Sequence, residues 1–119
     1  MPEISVDLPF PPSVNAAWRS VKGRVLLSKK YRQWLDEAEG RFLEQGAHKL
    51  PRVSGAFEAS IVLDAGKRRT SDVDNRIKPV LDALQRFGLV ANDRHCDRLT
   101  IAWGDAPAGC SITILTEDR

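Results

Sequence analysis

FEASIVLDAGKRRTSDVDNRIKPVLDALQRFG, residues 57–88, changes its hydrophobic period halfway along, and that change decides the fold. At its start Phe57, Ala59, Ile61 and Leu63 alternate with Glu58, Ser60 and Val62, the two-residue repeat of a half-buried strand. The polar run DAGKRRTS follows. Ile77, Val80, Leu81, Leu84 and Phe87 then recur at helical spacing up to Gly88, and they are the expected core face of a helix.

Toward the C-terminus, Leu99, Ile101 and Trp103 mark one strand and Cys110, Ile112 and Ile114 another, with GDAPAG between them reading as a hairpin connection. Toward the N-terminus, Pro51 to Gly55 is a turn region. Ser28 is a good N-cap for a helix running to about Gln45, with Tyr31, Trp34, Leu35, Ala38 and Phe42 on one face and Gly46 placed to end it. Ile4, Val6 and Leu8 alternate with Ser5 and Asp7 as a first strand, which FPPSVN stops because Pro11 and Pro12 cannot donate to a ladder. Ala16 to Lys22 reads as a basic connection, and Arg24 to Leu27 as a short second strand. Strands arriving singly and as a terminal hairpin, with two main helices covering one face, predict an α/β (α+β) fold: a mixed β-sheet in a single domain over residues 1–119.

A chain of 119 residues supports one core but not separate catalytic and binding halves. A hydrophobic fraction of 42% and a charged fraction of 29% are those of a soluble globular protein. No apolar run approaches the roughly 20 residues that span a bilayer, and MPEISVDLPF has no apolar segment of the secretory type. Cys96 and Cys110 stand alone without a CxxC or CxxH partner, which argues against zinc and for small buried thiols in a reducing cytoplasm. The net charge of +2 says little about partners, but its distribution says more. Arg19, Lys22, Arg24, Lys29, Lys30 and Arg32 crowd the N-terminal third, and Lys67, Arg68 and Arg69 precede an acidic motif.

That motif is SDVDNRIKPVLDAL, residues 71–84. On a regular helix Asp72 and Asp74 would point about 200° apart. On extended backbone residues i and i+2 share a face, so the pair converges only ahead of the helix proper. Both are capping-type residues, and helical periodicity begins only at Ile77, which supports that placement. Two carboxylates there make a hard-oxygen site suited to Mg²⁺ or Mn²⁺. Pro79 favours an irregular helix start. Lys78 lies one turn beyond Asp74 and Asp82 one turn beyond Lys78, so the segment by itself reads first as a ladder of i,i+4 ion pairs. The competing reading sets Lys78 at a phosphate, neutralising charge or assisting proton transfer.

A wider pattern favours the second reading. LPFPPSVNAAWR at 8–19, DVDNRIKPVLDAL at 72–84 and GLVANDR at 88–94 together resemble the RusA family of Holliday-junction resolvases, the crossover junction endodeoxyribonucleases of bacteria and their phages. DxDN followed by K and DAL at these offsets is far more specific than a bare DxD. The resemblance implies a RusA-like fold, with Asp72, Asp74 and Asp93 as metal-binding and catalytic carboxylates and Lys78 as the family's lysine. It also implies a homodimer, divalent-metal dependence and symmetrical nicking of four-way junctions. One departure stands out: many relatives carry paired aspartates in the loop, where this chain has Asn92, Asp93 and Arg94.

Phosphodiester hydrolysis needs an activated water, relief of charge on the phosphate and help for the leaving oxygen, all of which Mg²⁺ supplies, with Mn²⁺ as a substitute. Lys67, Arg68, Arg69, Arg19, Lys22 and Arg24 are the expected contacts to the DNA backbone. Asn15, with Ser13, either touches phosphate or organises the turn; the turn reading is preferred, and Asn15 stays among the DNA-binding candidates. Trp18 reads equally as a base-stacking or a core residue, whereas Trp34 and Trp103 read as core and His48 and His95 as surface residues. The partners expected are branched DNA and a second copy of the chain, with no membrane. Two rivals remain: a non-catalytic branched-DNA-binding module, which gains nothing from three acids facing phosphates, and a metal-dependent phosphatase for small molecules. Site closure sets a further condition. A full helix from Asp74 to Gly88 advances about 20 Å, and five extended residues return at most about 17 Å. Asp93 therefore reaches Asp74 within one chain only if the helix is short or kinked, as Pro79 allows, or the side chains span the remainder; closure within one chain is preferred, with supply of Asp93 by a partner protomer as the alternative.

Overall fold

The alternating stretch at 57–64 becomes an inner strand of a four-stranded sheet. The computed structural model describes residues 3–13, 18–21, 24–70 and 73–116, without the side chains of 18–27 and 68–70. Its elements are β1 (Glu3–Leu8), β2 (Trp18–Val21), β3 (Arg24–Leu27), α1 (Lys29–Glu44), β4 (Phe57–Asp64), α2 (Ile77–Arg86), β5 (Cys96–Gly104) and β6 (Cys110–Thr116). The main sheet has the order β1-β6-β4-β5; β4 runs parallel to β5 and antiparallel to β6, so the sheet is mixed as expected. β2 and β3 form a separate antiparallel pair. The stretch read as a basic connection therefore contains a strand, β2, which only its pairing with β3 reveals.

The terminal hairpin is corrected. β5 and β6 lie on either side of β4, and the Asp105–Gly109 loop passes the end of that strand, where Asp64 N–H donates to Gly109 O at 3.0 Å. Two successive strands with a short connection look like a hairpin locally, but β4 takes the place between them by pairing with both. Gly109 makes the passage possible: its φ is +124°, and a Cβ there would run into the Phe10 backbone.

One face of β4 (Phe57, Ala59, Ile61, Leu63) is buried together with Val6 and Leu8 of β1 and Cys110, Ile112 and Ile114 of β6. The apolar faces of both helices join this one core. The expected face of α1, Tyr31, Trp34, Leu35, Ala38 and Phe42, is buried throughout, Ser28 Oγ accepts from Tyr31 N–H at 3.1 Å, and Gly46 follows with φ +74°. Gln45 braces the edge strand, accepting from Asp7 N–H at 2.7 Å and donating to Asp7 O at 2.6 Å.

α2 is rotated slightly from its expected face. Val80 and Leu84 are buried, but Pro79 and Ala83 complete the set, while Ile77, Leu81 and Phe87 are only half-buried. Pro79 sits in the first turn of α2, where its missing N–H costs no helical bond.

Candidate active site

Asp74 stands on a 3-10 turn, Asp74–Arg76, that leads directly into α2. The irregular start predicted from Pro79 is therefore present. It also explains why the expected ladder is incomplete: a 3-10 turn has about three residues per turn, so Asp74 leaves the helical stripe on which Lys78 and Asp82 lie. Lys78 Nζ pairs with Asp82 Oδ1 at 3.0 Å, and its other partner is Asp93 Oδ2, 15 residues away in sequence, at 2.8 Å. Among the described residues Asp74 makes no ion pair and faces solvent.

The position of Asp93 is built by apolar anchoring. After α2, Gly88 turns the chain at φ +85°, and Leu89 and Val90 are buried at 1% and 0% exposure. Leu89 N–H donates to Leu84 O at 3.0 Å, and Val53 joins the segment through Val53 N–H to Leu89 O and Ala91 N–H to Val53 O, both 2.8 Å. Asn92 then caps a short 3-10 turn, Asp93–His95, its Oδ1 accepting from Arg94 N–H at 3.0 Å. Asp93 N–H donates to Gln85 Oε1 at 2.8 Å. Lys78 and Gln85, two turns apart on α2, thus hold the acid of the loop from one side. Because α2 has only 10 residues, about 15 Å of helix, the return to Lys78 closes within one chain. Asn92, beside the loop acid, serves the turn.

Paired with two carboxylates, Lys78 has its pKa pushed up from the usual 10.5 to about 12, first by the hydrogen bond to Asp93 and then by that to Asp82. It is a fixed cation at neutral pH rather than a proton acceptor. A raised lysine pKa stabilises the fold fully below 10.5, and the contribution is lost as pH rises through about 12. In Asp93→Asn the Lys78 ammonium is expected to titrate closer to 10.5, followed by NMR of its side-chain nitrogen; an unchanged midpoint would show that Asp82 alone sets it.

The other candidates are distributed as follows. Asp72, Asn15 and Lys22 lie outside the described residues. Arg19 and Arg24 are on the β2–β3 pair, and Lys67, Arg68 and Arg69 on a 3-10 segment, Ala65–Thr70; of these only the side chain of Lys67 is described, and it is exposed. His48 is exposed, but His95 is half-buried, with Nδ1 lacking a partner among the described residues. Trp34 is buried and donates from Nε1 to Pro9 O at 3.0 Å, while Trp103 is half-buried and stacks on Phe10. Arg76, Gln85, Leu89 and Val90 escaped the sequence reading. Helical periodicity marks none of them, although Arg76 falls inside DVDNRIK.

Among the described residues no three acidic, histidine or cysteine side chains are grouped to hold a metal ion. Asp74 and Asp93 are nevertheless hard oxygen donors of the kind Mg²⁺ takes, and the ammonium at Asp93 Oδ2 marks where that carboxylate accepts positive charge. The donor chemistry fits such an ion.

Compared with known families, residues 9–115 match Endodeoxyribonuclease RusA. The chain therefore belongs to the RusA endodeoxyribonuclease family. It is also similar to the crossover junction endodeoxyribonuclease RusA of Enterobacteria phage HK97, at 26% identity over 106 residues, which covers 87% of this chain and 85% of the phage protein. Among the described residues no helix is long and apolar enough to cross a membrane.

Proposed function

We propose that this protein is a metal-dependent endodeoxyribonuclease that resolves four-way junctions and related branched DNA by paired symmetrical nicks, in DNA recombination and repair. The observation that carries the reading is the 2.8 Å contact between Lys78 and Asp93, which draws the acid of the loop onto the helix that follows the turn bearing Asp74. Family membership supports the nuclease activity, and the name of the phage relative supports the junction as substrate.

In this reading Asp72, Asp74 and Asp93 hold Mg²⁺, with Mn²⁺ as a substitute. When bound, the ion supplies Lewis acidity and an activated water at the phosphate. Lys78 does the rest of the charge work. Its ammonium has three donors; Asp82 and Asp93 take two, leaving one for a phosphate oxygen. Being held protonated, it offsets developing negative charge without moving a proton from water. Lys67, Arg68 and Arg69, with Arg19, Lys22, Arg24 and Asn15, grip the flanking backbone. Two such chains, as a homodimer, place one site on each of two strands. The free thiols of Cys96 and Cys110 suit a reducing cytoplasm.

The test is cleavage of a four-way junction, a linear duplex and a small phosphodiester, each with Mg²⁺, Mn²⁺ or EDTA. Paired nicks in the junction, lost in EDTA, are expected. Binding without nicking under all three conditions would make the protein a junction-binding module, and cleavage confined to the small phosphodiester would make it a phosphatase.

A further inference from the structure

A cavity of about 320 Å³ opens beside the turn that carries Asp74. Phe10 and Pro11 line it from the chain after β1, Lys30 and Trp34 from the first turns of α1, Lys67 from the basic 3-10 segment, and Arg76 from the turn itself. Three of the seven described lining residues are cations, and none of them is a carboxylate. The volume is at the small end of ligand pockets, which begin at roughly 300 Å³. It suits one phosphate with its sugar and excludes a duplex.

Arg76 gives the cavity its chemistry. It is 8% exposed, and among the described residues it has no acidic partner. Its Nη1 donates to Pro11 O at 2.7 Å, its guanidinium carbon lies 5.0 Å from the centre of the Phe10 ring, and its Nε–H has no acceptor among the described residues. Burying a cation without a counter-charge costs several kcal/mol, and one carbonyl with one ring face offsets only part of that. The N-terminus of the 16-residue α1, from which Lys30 projects, adds partial positive charge from the helix dipole. A buried guanidinium, an exposed ammonium and a helix N-terminus thus surround one small space with positive charge.

We propose that this cavity is a phosphate subsite that takes one backbone phosphate of a DNA strand, clamped by Lys30 and by Arg76, which is two residues along the chain from Asp74. Phosphate contacts fix register without reading sequence, so a strand anchored here presents a neighbouring phosphate to the carboxylates. The subsite deepens the nuclease reading by naming where the substrate is held, and its test needs no cleavage.

The reporter is the indole N–H of Trp34, which lines the cavity and is one of three tryptophan signals, assigned with Trp34→Phe. In EDTA and at constant ionic strength, inorganic phosphate and thymidine 5′-monophosphate are each titrated, with thymidine and sodium chloride as controls. Saturable shifts are expected with the two phosphates and not with the controls. Each charge-assisted contact is worth about 1.5–3 kcal/mol, so affinity is expected to fall about 10- to 100-fold in Lys30→Gln and in Arg76→Gln. Lys30 is exposed and its replacement leaves the core untouched, so Lys30→Gln decides the matter even if Arg76→Gln melts. The absence of a saturable shift in the unaltered protein would overturn the subsite. So would equal affinity in Lys30→Gln with a lowered melting temperature confined to Arg76→Gln, which would make the guanidinium a strut for Pro11 and Phe10. A protein that binds thymidine monophosphate here but cuts nothing keeps the subsite and loses the nuclease reading; one that cuts without a saturable shift does the reverse.

Discussion

Asp93→Asn and Asp74→Asn are each expected to lower junction cleavage by about 10²- to 10⁴-fold while junction binding holds or tightens. The magnitude follows from the several kcal/mol that a metal ion contributes at a developing phosphate charge, each 1.36 kcal/mol being tenfold in rate. The binding arm follows from charge, because each change removes a negative group that repels DNA. Asp74 is exposed and unpaired among the described residues, so its replacement leaves packing intact. Asp93 also loses its ion pair with Lys78, but the 55% exposure of the lysine side chain makes that pair a minor term in stability. Full activity of either variant at saturating Mg²⁺ would remove that residue from the site. Mixing the two variants under conditions that exchange protomers is expected to restore nothing, since Lys78 and Gln85 of the same chain hold Asp93. Recovered nicking would mean that the partner supplies it.

Leu89→Ala is expected to cost about 2–5 kcal/mol of folding stability, the range for a large aliphatic side chain removed from a packed core. Leu89 is 1% exposed, its N–H and C=O both carry loop hydrogen bonds, and Val90 beside it is fully buried. The four residues from Leu89 to Asn92 are all that separate the turn at Gly88 from Asp93, so a collapsing cavity moves the acid as well as the core. Urea denaturation gives the first effect. The Lys78 ammonium gives the second: its titration is expected to fall from about 12 toward 10.5 as the contact with Asp93 loosens. A loss under about 1 kcal/mol with unchanged titration would show that the Val53 bridge alone carries the segment.

Both expectations depend on features that differ in how far the chain alone reveals them. The strand at 57–64, the α1 face with its Ser28 cap and the irregular entry to α2 were legible because each rests on local periodicity, capping chemistry or a proline. The spacing of DVDNRIK likewise places Asp74 ahead of the helix and Lys78 upon it, but Val73 is helical (φ −63°, ψ −39°) and Asp74 stands on a 3-10 turn rather than on the extended backbone that the reading expected. Strand order is a different kind of property. GDAPAG gives the same local signals whether its strands pair or straddle a third, and only the long-range pairing of β4 with both neighbours settles it. β2 is invisible for the same reason, since a four-residue strand is defined by its partner. At the site, helical spacing predicted the pair of Lys78 with Asp82, which the structure keeps, whereas its pair with Asp93 comes only from the fold, through a loop anchored by Leu89 and Val90. The burial of Arg76 lies furthest from the sequence: a charged residue at a helix entry reads as solvated, and its contacts with Pro11 and Phe10 come from more than sixty residues away. Local order follows from backbone and side-chain preferences that each residue carries with it, while charge burial and strand neighbours are set by segments that meet only when the chain is folded.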